Sequence, residues 1–516
     1  MNMRIKCLKA TAVIAFMANG MLYAQVKVKV DEAVGKTWQI QNVLVLDGTG
    51  GVAKKTDLRI SGKMIVAVGK LKTISGEKII DGGGKMLVPG FIDTHSHLEG
   101  SFADNPAVLA AVNQGVTTII VGQDGYASWI DSLEKRLIRS PVAVNVASYT
   151  GHTTLREKVL GENNLGRAAT DGEIEEMQRL LAEEIGKGSL GLSTGLEYAG
   201  AYFSSYNEVL ALARTASAAK GRYISHLRSE DIGLNAALDE IIRIGKEARL
   251  PVQISHLKIA LRDDWKTAPL LLAKLDSARK EGIDITADCY PYDFWRSTLK
   301  VLFPKTDYDN LSSAEFAVNH SFDPSESVIV AFKPEPSYKG MTLSEIAKKR
   351  GKTEALTLME LIAEADEYRR QNPDSSGIEG IMGKSMTDSD VVDLLNWAHT
   401  NICSDGSDGG HPRGYGSFTR ILGHYVREKK SMRLENAIHK MTALAARHMG
   451  IRDRGMIAPG YYADLVLFDP MMVKDNATIK SPKALSDGIL RVWVNGEEVY
   501  TSGNATGKFP GIFIKK

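Results

Sequence analysis

The chain of 516 residues is too long for one ordinary domain and can bury a large core. Its 43% hydrophobic and 24% charged residues are typical of a globular protein. A formal net charge of +2, without a long basic run, argues against a nucleic-acid partner.

The first 24 residues, 1–24, have the pattern of a secretory signal peptide. Basic residues at positions 4, 6 and 9 precede an apolar stretch at 10–24, and Leu22-Tyr23-Ala24 forms a suitable cleavage site before Gln25. A short membrane anchor is the alternative, although the apolar run is short for a spanning helix. We therefore expect an exported protein, periplasmic or secreted, with no membrane-spanning segment after cleavage.

Two cysteines would remain in the mature chain, Cys289 and Cys403. Both lie in strand-like runs beside candidate site residues. A pair of cysteines in an exported protein can form one disulfide, but nothing in the sequence requires it. We expect two buried free thiols.

The two ends of the mature chain, residues 25–88 and 455–516, share a texture of short β-runs separated by turns. These runs lie at 39–46, 58–61, 64–68, 78–80, 463–468 and 490–496. Because neither end could complete a core alone, we expect both to pair into one small β-sandwich domain.

The middle of the chain, residues 89–454, alternates apolar strands with amphipathic helices, for example at 173–187 and 206–220. Strand segments lie at 86–97, 116–124, 143–152, 189–198, 223–228, 251–258, 284–292 and 402–407. Eight such units predict a (β/α)8 TIM barrel, an α/β fold whose active site lies at the carboxyl ends of the strands.

One connection of the predicted barrel, at about 293–401, is too long for a plain loop. It contains Pro/Ser/Asp-rich stretches and a helix-like segment at 355–370. We expect an insertion that caps the barrel mouth.

Metal-binding residue types stand at the ends of these strands. His95 and His97 follow a buried run, and side chains two apart on a strand share a face. His226 and His256 each end a run that reads Ile-Ser-His. Since parallel strands end at one rim, these four histidines predict a metal site.

Asp405, which ends the last strand segment, is predicted to be the general base of such a site and a further metal ligand. Asp408 and His411 follow it closely and are the alternatives. Asp124 ends the second strand segment and is a further candidate ligand, although it also suits a turn before Gly125.

Further motifs carry a family resemblance over nearly all of the mature chain. They are Gly90 to His97, Gly115 to Thr118, Gly151 to Arg156, Gly191 to Tyr198, Ile254 to Lys258, Tyr290 to Tyr292, His411 to Arg413, Gly423 to Tyr425, and Asp453 to Leu465. With these motifs the chain resembles the amidohydrolase superfamily and, within it, the D-aminoacylase (N-acyl-D-amino-acid deacylase) group.

The resemblance implies a zinc site with one departure. Many amidohydrolases bridge two metals with a carboxylated lysine on the fourth strand, but the segment from Ser193 to Glu197 contains no lysine. D-aminoacylases instead place a cysteine after the second strand, where this chain has Asp124. A carboxylate can also ligate zinc, although it is a harder ligand. The resemblance thus implies one or two zinc ions. Asp124 is the expected bridge where two ions are bound, and Glu197 is the alternative.

The resemblance also implies how a substrate carboxylate is held. The matching residues are Lys258, Tyr290 and Arg413, of which arginine suits bidentate carboxylate binding. Arg296 takes the place of a serine usual in the group, with Ser297 beside it, and would permit a second acidic contact. His152 and Tyr198 are further candidates for the pocket wall.

The implied reaction is zinc-dependent hydrolysis of N-acyl-D-amino acids to a carboxylate and a free D-amino acid. A bound metal would lower the pKa of a water to roughly 7, and Asp405 would move that water's proton to the departing amine. Another amidohydrolase reaction is the alternative, such as that of a dipeptidase or a dihydroorotase- or hydantoinase-like cyclic amidase. A free carboxylate partner for Lys258 and Arg413 argues against deamination, and the complete ligand set argues against a non-catalytic binding protein. The oligomeric state is not indicated.

Overall fold

The structure, a computed structural model, describes residues 37–303 and 307–516. The predicted signal peptide lies outside these residues. The strands are β1 (Thr37–Val45), β2 (Lys54–Ser61), β3 (Met64–Gly69), β4 (Lys78–Asp81), β5 (Met86–Pro89), β6 (Phe91–Asp93), β7 (Val116–Val121), β8 (Asn145–Ser148), β9 (Thr150–Gly151), β10 (Gly191–Gly195), β11 (Arg222–His226), β12 (Val252–Ile254), β13 (Ile285–Cys289), β14 (Phe294–Ser297), β15 (Val328–Phe332), β16 (Glu379–Lys384), β17 (Thr400–Ile402), β18 (Leu465–Phe468), β19 (Ile489–Val494), β20 (Glu497–Thr501) and β21 (Asn504–Ala505).

Helices lie mostly between the strands of the middle region. They are α1 (Leu109–Val112), α2 (Ile130–Arg139), α3 (His152–Leu160), α4 (Asp171–Lys187), α5 (Tyr206–Ala218), α6 (Leu234–Ala248), α7 (Ala268–Lys280), α8 (Leu311–Phe316), α9 (Leu343–Arg350), α10 (Glu354–Gln371), α11 (Asp388–Asn396), α12 (Arg413–Arg420), α13 (Leu434–Met441) and α14 (Ala443–Met449). The helices expected at 173–187 and 206–220 correspond to α4 and α5. The first begins at a capping box, in which Thr170 and Glu173 satisfy each other's backbone N–H groups.

Strands from both chain ends form one nine-stranded sheet. Its order is β21-β20-β19-β18-β5-β1-β2-β3, with β4 paired to β1. The central contact joins the two ends, because β18 pairs antiparallel with β5, which pairs parallel with β1. Ile40, Leu58, Leu465 and Trp493 are buried in a core that both ends share. The sheet therefore requires both ends of the chain.

Eight parallel strand positions carry the barrel. Strands β6-β7-β8 form one parallel sheet, and β9-β10-β11-β12-β13-β17 form another. Only Tyr149 separates β8 from β9, and at the other edge an isolated parallel bridge joins Ser96 to Gly406. The amide of Asp405 also donates to the carbonyl of His95, at 2.9 Å. The ends of β6 and β17 are thus held side by side.

The connection between β13 and β17 is a folded insertion. Its strands form a separate antiparallel sheet in the order β14-β16-β15. Leu299, Phe322, Leu358 and Ile381 belong to its own buried cluster, onto which α8, α9 and α10 pack. The helix expected at 355–370 is α10.

Cys289 and Cys403 are both buried free thiols, and burial raises the pKa of the Cys289 thiol to about 12. Among the helices of the described ranges, none combines the length and apolar character that a membrane span needs.

Candidate active site

The predicted ligands and substrate residues converge on one cavity of about 430 Å³ at the carboxyl ends of the barrel strands. Its lining includes His97, Asp124, His226, His256, Lys258, Tyr290, Arg296, Asp405 and Arg413. His95 lies beneath the floor of this cavity with no exposed surface. Trp295, Arg296 and Ser297 bring strand β14 of the insertion into the wall.

A first group of metal-binding side chains joins the ends of β6, β7 and β17. The Nε2 atom of His97 lies 3.3 Å from Asp124 Oδ2 and 3.2 Å from Asp405 Oδ1. The Nε2 atom of His95 lies 3.4 Å from Asp124 Oδ1 and 3.6 Å from Asp405 Oδ1. These four side chains therefore direct one donor atom each at a common point.

A second group shares Asp124 with the first. The Nδ1 atom of His226 lies 3.0 Å from His256 Nε2, and that Nε2 atom lies 3.5 Å from Asp124 Oδ1. Asp124 thus lies between the two histidine pairs. The Oε2 atom of Glu197, the alternative bridge, lies 2.9 Å from His226 Nε2, on the side of the ring away from His256. The distances favour Asp124 for the bridging position.

Three of these residues have left-handed backbone conformations. The φ angles are 56° at Asp124, 34° at His256 and 46° at Asp405. This region is unfavourable for residues other than glycine, and such strain concentrates at functional sites. In each case the chain turns at the end of a strand so that the side chain faces the cavity.

The donor set fits a metal ion such as zinc. Both ring nitrogens of His95 and the Oδ1 atom of Asp124 are buried without a hydrogen-bond partner within the described residues. Burial opposes protonation of His97 and His256, yet the surrounding carboxylates outweigh it and raise the pKa of each ring to about 10. The cluster therefore attracts positive charge, and imidazole nitrogens with carboxylate oxygens are ordinary zinc ligands.

Asp405 is held ionised. Burial alone would favour its neutral form, but Arg413 and the neighbouring histidines hold its pKa well below the usual range. The Arg413 Nη1 atom lies 2.7 Å from Asp405 Oδ2, which leaves Oδ1 facing His95 and His97.

The cations expected to bind a substrate carboxylate, Lys258 and Arg413, lie beside the ring of Tyr290, whose hydroxyl is buried. This hydroxyl has no hydrogen-bond partner within the described chain, and burial raises its pKa, so it remains a donor. The Arg413 guanidinium lies 4.7 Å from the centre of the Tyr290 ring. Lys258 Nζ lies 2.7 Å from both carboxylate oxygens of Glu230.

Arg296 differs from the other two cations of the cavity. Lys258 is paired with Glu230 and Arg413 with Asp405. Arg296 forms no ion pair with any residue that the structure describes, and its guanidinium packs against Gly410. It is the unpaired cation of the described cavity wall.

Of the four remaining candidate residues from the sequence, three lie outside the cavity lining and one belongs to it. His152 is buried and contacts Glu208 through Nε2 at 2.9 Å, away from the cavity lining. His411 accepts from the Arg413 amide and contacts the carbonyl of Phe294, so it fixes the loop that carries Arg413. Asp408 pairs with Lys483. Tyr198 does line the cavity, with its hydroxyl 3.2 Å from His226 Nδ1.

Glu230 is a buried, ion-paired cavity residue that sequence reasoning missed. It follows His226 by four residues in a loop, where an acidic residue ordinarily signals only a solvated turn. Its position four residues beyond a predicted ligand is the signal that could have identified it.

The barrel, the two donor groups and the cavity that they line together define a metal-dependent hydrolase. The amidohydrolase family model matches residues 78–322 and 397–500. The chain belongs to this family, as its motifs predicted.

Similar proteins act on N-acyl-D-amino acids. The chain is 33% identical to the D-aminoacylase of Alcaligenes xylosoxydans xylosoxydans over 502 residues, which cover 90% of this chain and 95% of that protein. It is 32% identical to the N-acyl-D-aspartate deacylase of the same organism over 501 residues, with 92% and 93% covered. Among solved structures, an N-acyl-D-glutamate deacylase from Bordetella bronchiseptica superposes with a TM-score of 0.80 at 30% identity, covering 93% of this chain and 99% of that one. That structure holds zinc and a phosphonate mimic of the tetrahedral intermediate. The predicted fold class is confirmed.

Proposed function

We propose that this protein hydrolyses the amide bond of N-acyl-D-amino acids, releasing a carboxylate and a free D-amino acid. One observation carries the proposal. The Tyr290 hydroxyl, with Arg413 and Lys258, faces the same cavity as the two groups of metal-binding side chains. A site for a carboxylate thus lies beside a site for amide hydrolysis. The activities of the similar deacylases support the same substrate class.

We assign zinc to the two donor groups. His95, His97 and Asp405 would hold one ion, His226 and His256 would hold the other, and Asp124 would be shared between them. When bound, the metal polarises the amide carbonyl and makes a water acidic at neutral pH. Bound ions would also balance the cavity's charge, because with its histidines neutral as ligands the described lining has more carboxylates than cations: Asp124, Glu197, Glu230, Asp231 and Asp405 against Lys258, Arg296 and Arg413.

Asp405 would move the proton. Its ionised carboxylate can accept a proton from the attacking water through Oδ1, while Arg413 holds Oδ2. It then delivers the proton to the departing amine. Tyr198, whose pKa burial raises well above the usual value, remains a donor that can stabilise negative charge developing on the carbonyl oxygen.

We further assign an acidic D-amino acid as the preferred substrate. Arg413 and Tyr290 would hold the α-carboxylate, together with Lys258. Arg296 has no ion-pair partner among the described residues and would bind a side-chain carboxylate. Curated relatives that act on N-acyl-D-aspartate and N-acyl-D-glutamate support this assignment.

The test is an assay of the purified protein against paired N-acetyl-D- and N-acetyl-L-amino acids with acidic and apolar side chains, dipeptides and hydantoins. We expect zinc-dependent release of free D-glutamate or D-aspartate, loss of activity after chelation, and recovery with zinc. Release from dipeptides or hydantoins alone would instead identify another amidohydrolase reaction.

The variant Arg296→Ser tests the side-chain preference. Loss of a charged hydrogen bond costs about 1.5–3 kcal/mol, so kcat/KM for the acidic substrate should fall about 10- to 150-fold. The value for N-acetyl-D-leucine should change little. Lys300→Ser is the matched control, because it removes a cation of the insertion that is paired with Asp366. Equal losses on both substrates would refute the assignment.

We also propose export, supported by the N-terminal sequence pattern alone. Fractionation of cells that produce the full chain and a version lacking residues 1–24 tests it. Equal retention of both forms in the cytoplasm would contradict export.

A further inference from the structure

Two glutamates of the cavity have no role in the proposed reaction. Glu197 follows β10, and Glu230 lies in the loop after β11. Each contacts a histidine of the second donor group on the ring nitrogen that faces away from Asp124. The two contacts suggest a shared task.

Glu197 is positioned to set the tautomer of His226. Its Oε2 atom lies 2.9 Å from His226 Nε2, and an ionised carboxylate can only accept a hydrogen bond. The ring proton is therefore held on Nε2. The Nδ1 atom then presents a lone pair toward His256 Nε2, 3.0 Å away.

Glu230 has the corresponding position at His256. Its Oε1 atom lies 3.1 Å from His256 Nδ1, and its carboxylate is ion-paired with Lys258. Lys258 Nζ lies 2.7 Å from the same Nδ1 atom and competes with Glu230 for it. A cation bound at Nε2 settles this competition, because Nδ1 must then carry the ring proton and only Glu230 can accept it.

We propose that Glu197 and Glu230 are positioning residues that keep the protons on the outer nitrogens of His226 and His256, so that both inner nitrogens ligate one metal ion. The inner nitrogens are 3.0 Å apart. Two nitrogens on a tetrahedral zinc, each at about 2.0 Å, are separated by roughly 3.3 Å, so little movement is needed. The inference rests on the metal assignment of the proposed function.

The hydrogen-bonding of outer ring nitrogens to carboxylates distinguishes the second donor group from His95 of the first. The nearest carboxylate to the outer nitrogen of His95 is Asp288, at 3.9 Å, beyond hydrogen-bond distance. Removing Glu197 or Glu230 should therefore weaken the ion at His226 and His256 and spare the ion at His95 and His97.

The test measures metal content and affinity, which do not depend on turnover. Zinc-loaded wild-type protein and the variants Glu197→Leu and Glu230→Leu are titrated with a chromophoric chelator. Loss of such outer support typically costs roughly 10- to 100-fold in metal affinity, so one of two zinc ions should be released at lower chelator concentration. Glu197→Gln retains a carbonyl acceptor and should restore part of the loss.

Two further variants make the result decisive. Glu230→Leu leaves Lys258 buried without its partner, so Glu230→Leu/Lys258→Met removes both charges and should still lose the same ion. Asp231→Asn is the matched control, because Asp231 lines the cavity but bonds to Ser229 instead of a histidine.

Wild-type affinity for both ions in the Glu197 and Glu230 variants would overturn the inference, as would equal loss of both ions or a wild type that holds only one. Loss of an additional third ion would instead indicate a separate site at Glu197, His226 and Glu230, and would also overturn it. A wild type that binds two zinc ions but hydrolyses no N-acyl-D-amino acid would refute the proposed function and leave this inference standing.

Discussion

Asp405 would both ligate a metal ion and accept a proton, and a single substitution can separate these two roles. Its Oδ1 atom faces the first donor group, and its Oδ2 atom is held by Arg413. Asp405→Asn keeps the size of the side chain but removes its capacity to accept a proton. We expect kcat to fall by about 10²–10⁴-fold, the usual contribution of a general base, with zinc at His226 and His256 retained. Steady-state kinetics and metal analysis test this, and full activity in the variant would exclude Asp405 as the base.

We expect Asp124 to influence which metals the site accepts. It lies within 3.5 Å of a ring nitrogen of His95, His97 and His256. Asp124→Cys introduces a thiolate, a softer ligand than a carboxylate and the one expected at this position in the group that the chain resembles. Zinc affinity should therefore rise on the order of tenfold relative to manganese. Competition between the two metals, followed by metal analysis, measures the ratio. Asp124→Ala is the control and should lose the shared ligand for both metals; unchanged metal content there would make Asp124 a turn residue only.

At the residue scale, the sequence predicts strand-end positions but not side-chain pairing. His95, His97, His226, His256 and Asp405 follow apolar runs, and parallel strands bring such ends to one rim. The pairing of Lys258 with Glu230 depends on loop geometry that no local pattern encodes. For that reason Arg296 could not be recognised from sequence as the cavity cation that has no ion pair with a described residue.

At the element scale, each predicted barrel segment overlaps a strand of the structure, although the segment 402–407 overlaps β17 only at Ile402 and two of the predicted runs serve two sheets. Residues 86–97 read as a single strand, but the chain divides at Gly90 into β5 and β6. The Gly90 amide donates to the carbonyl of Asp464, and a Cβ atom there would lie 2.1 Å from Thr117 Oγ1. Close packing between the sheet and the barrel therefore sets the boundary, and hydrophobicity alone cannot show it.

The contact between α14 and β17 predicts acid sensitivity. His448 on α14 bonds through Nδ1 to Asn401 Oδ1, at 2.6 Å. Burial, followed by repulsion from nearby cations, lowers its pKa to about 2. Between that value and the unfolded value of about 6.5, only the unfolded state binds the proton. The free energy of unfolding should therefore decrease as pH falls below 6.5, by up to about 1.4 kcal/mol per pH unit from this group.

His448→Gln isolates this contribution. Urea unfolding of the metal-free wild type and variant is compared at several pH values between 4.5 and 7.5. The wild type should lose stability faster below pH 6.5, whereas the difference between the two proteins should stay constant above pH 7, where His448 is neutral in both states. Parallel pH dependences over the whole range would contradict the prediction.

At the scale of the whole molecule, the chain closes on itself twice. The shared sheet joins its two ends through β5 and β18. The last residues then return to the barrel, where the Val146 amide donates to the carbonyl of Ile512 at 2.9 Å and the Ile514 amide donates to the carbonyl of Val146 at 2.7 Å. The sequence predicts the first closure from matching β-texture. The second is not predictable, because residues 511–514 lack a partner strand in their own neighbourhood.

Removal of residues 509–516 should therefore destabilise the barrel without altering the cavity. The deletion leaves the Val146 amide without its acceptor and exposes the apolar cluster against which Ile514 packs. Each lost backbone hydrogen bond costs about 1 kcal/mol, so the rate of thermal inactivation should rise several-fold. KM should stay near the wild-type value, because the tail contacts β8 and the cavity lies at the carboxyl ends of the strands. Lys515→Ala is the control, since it removes only an exposed ion pair with Glu134. An unchanged inactivation rate in the deletion variant would show that the tail does not support the barrel, and a raised KM would show that its effect reaches the site.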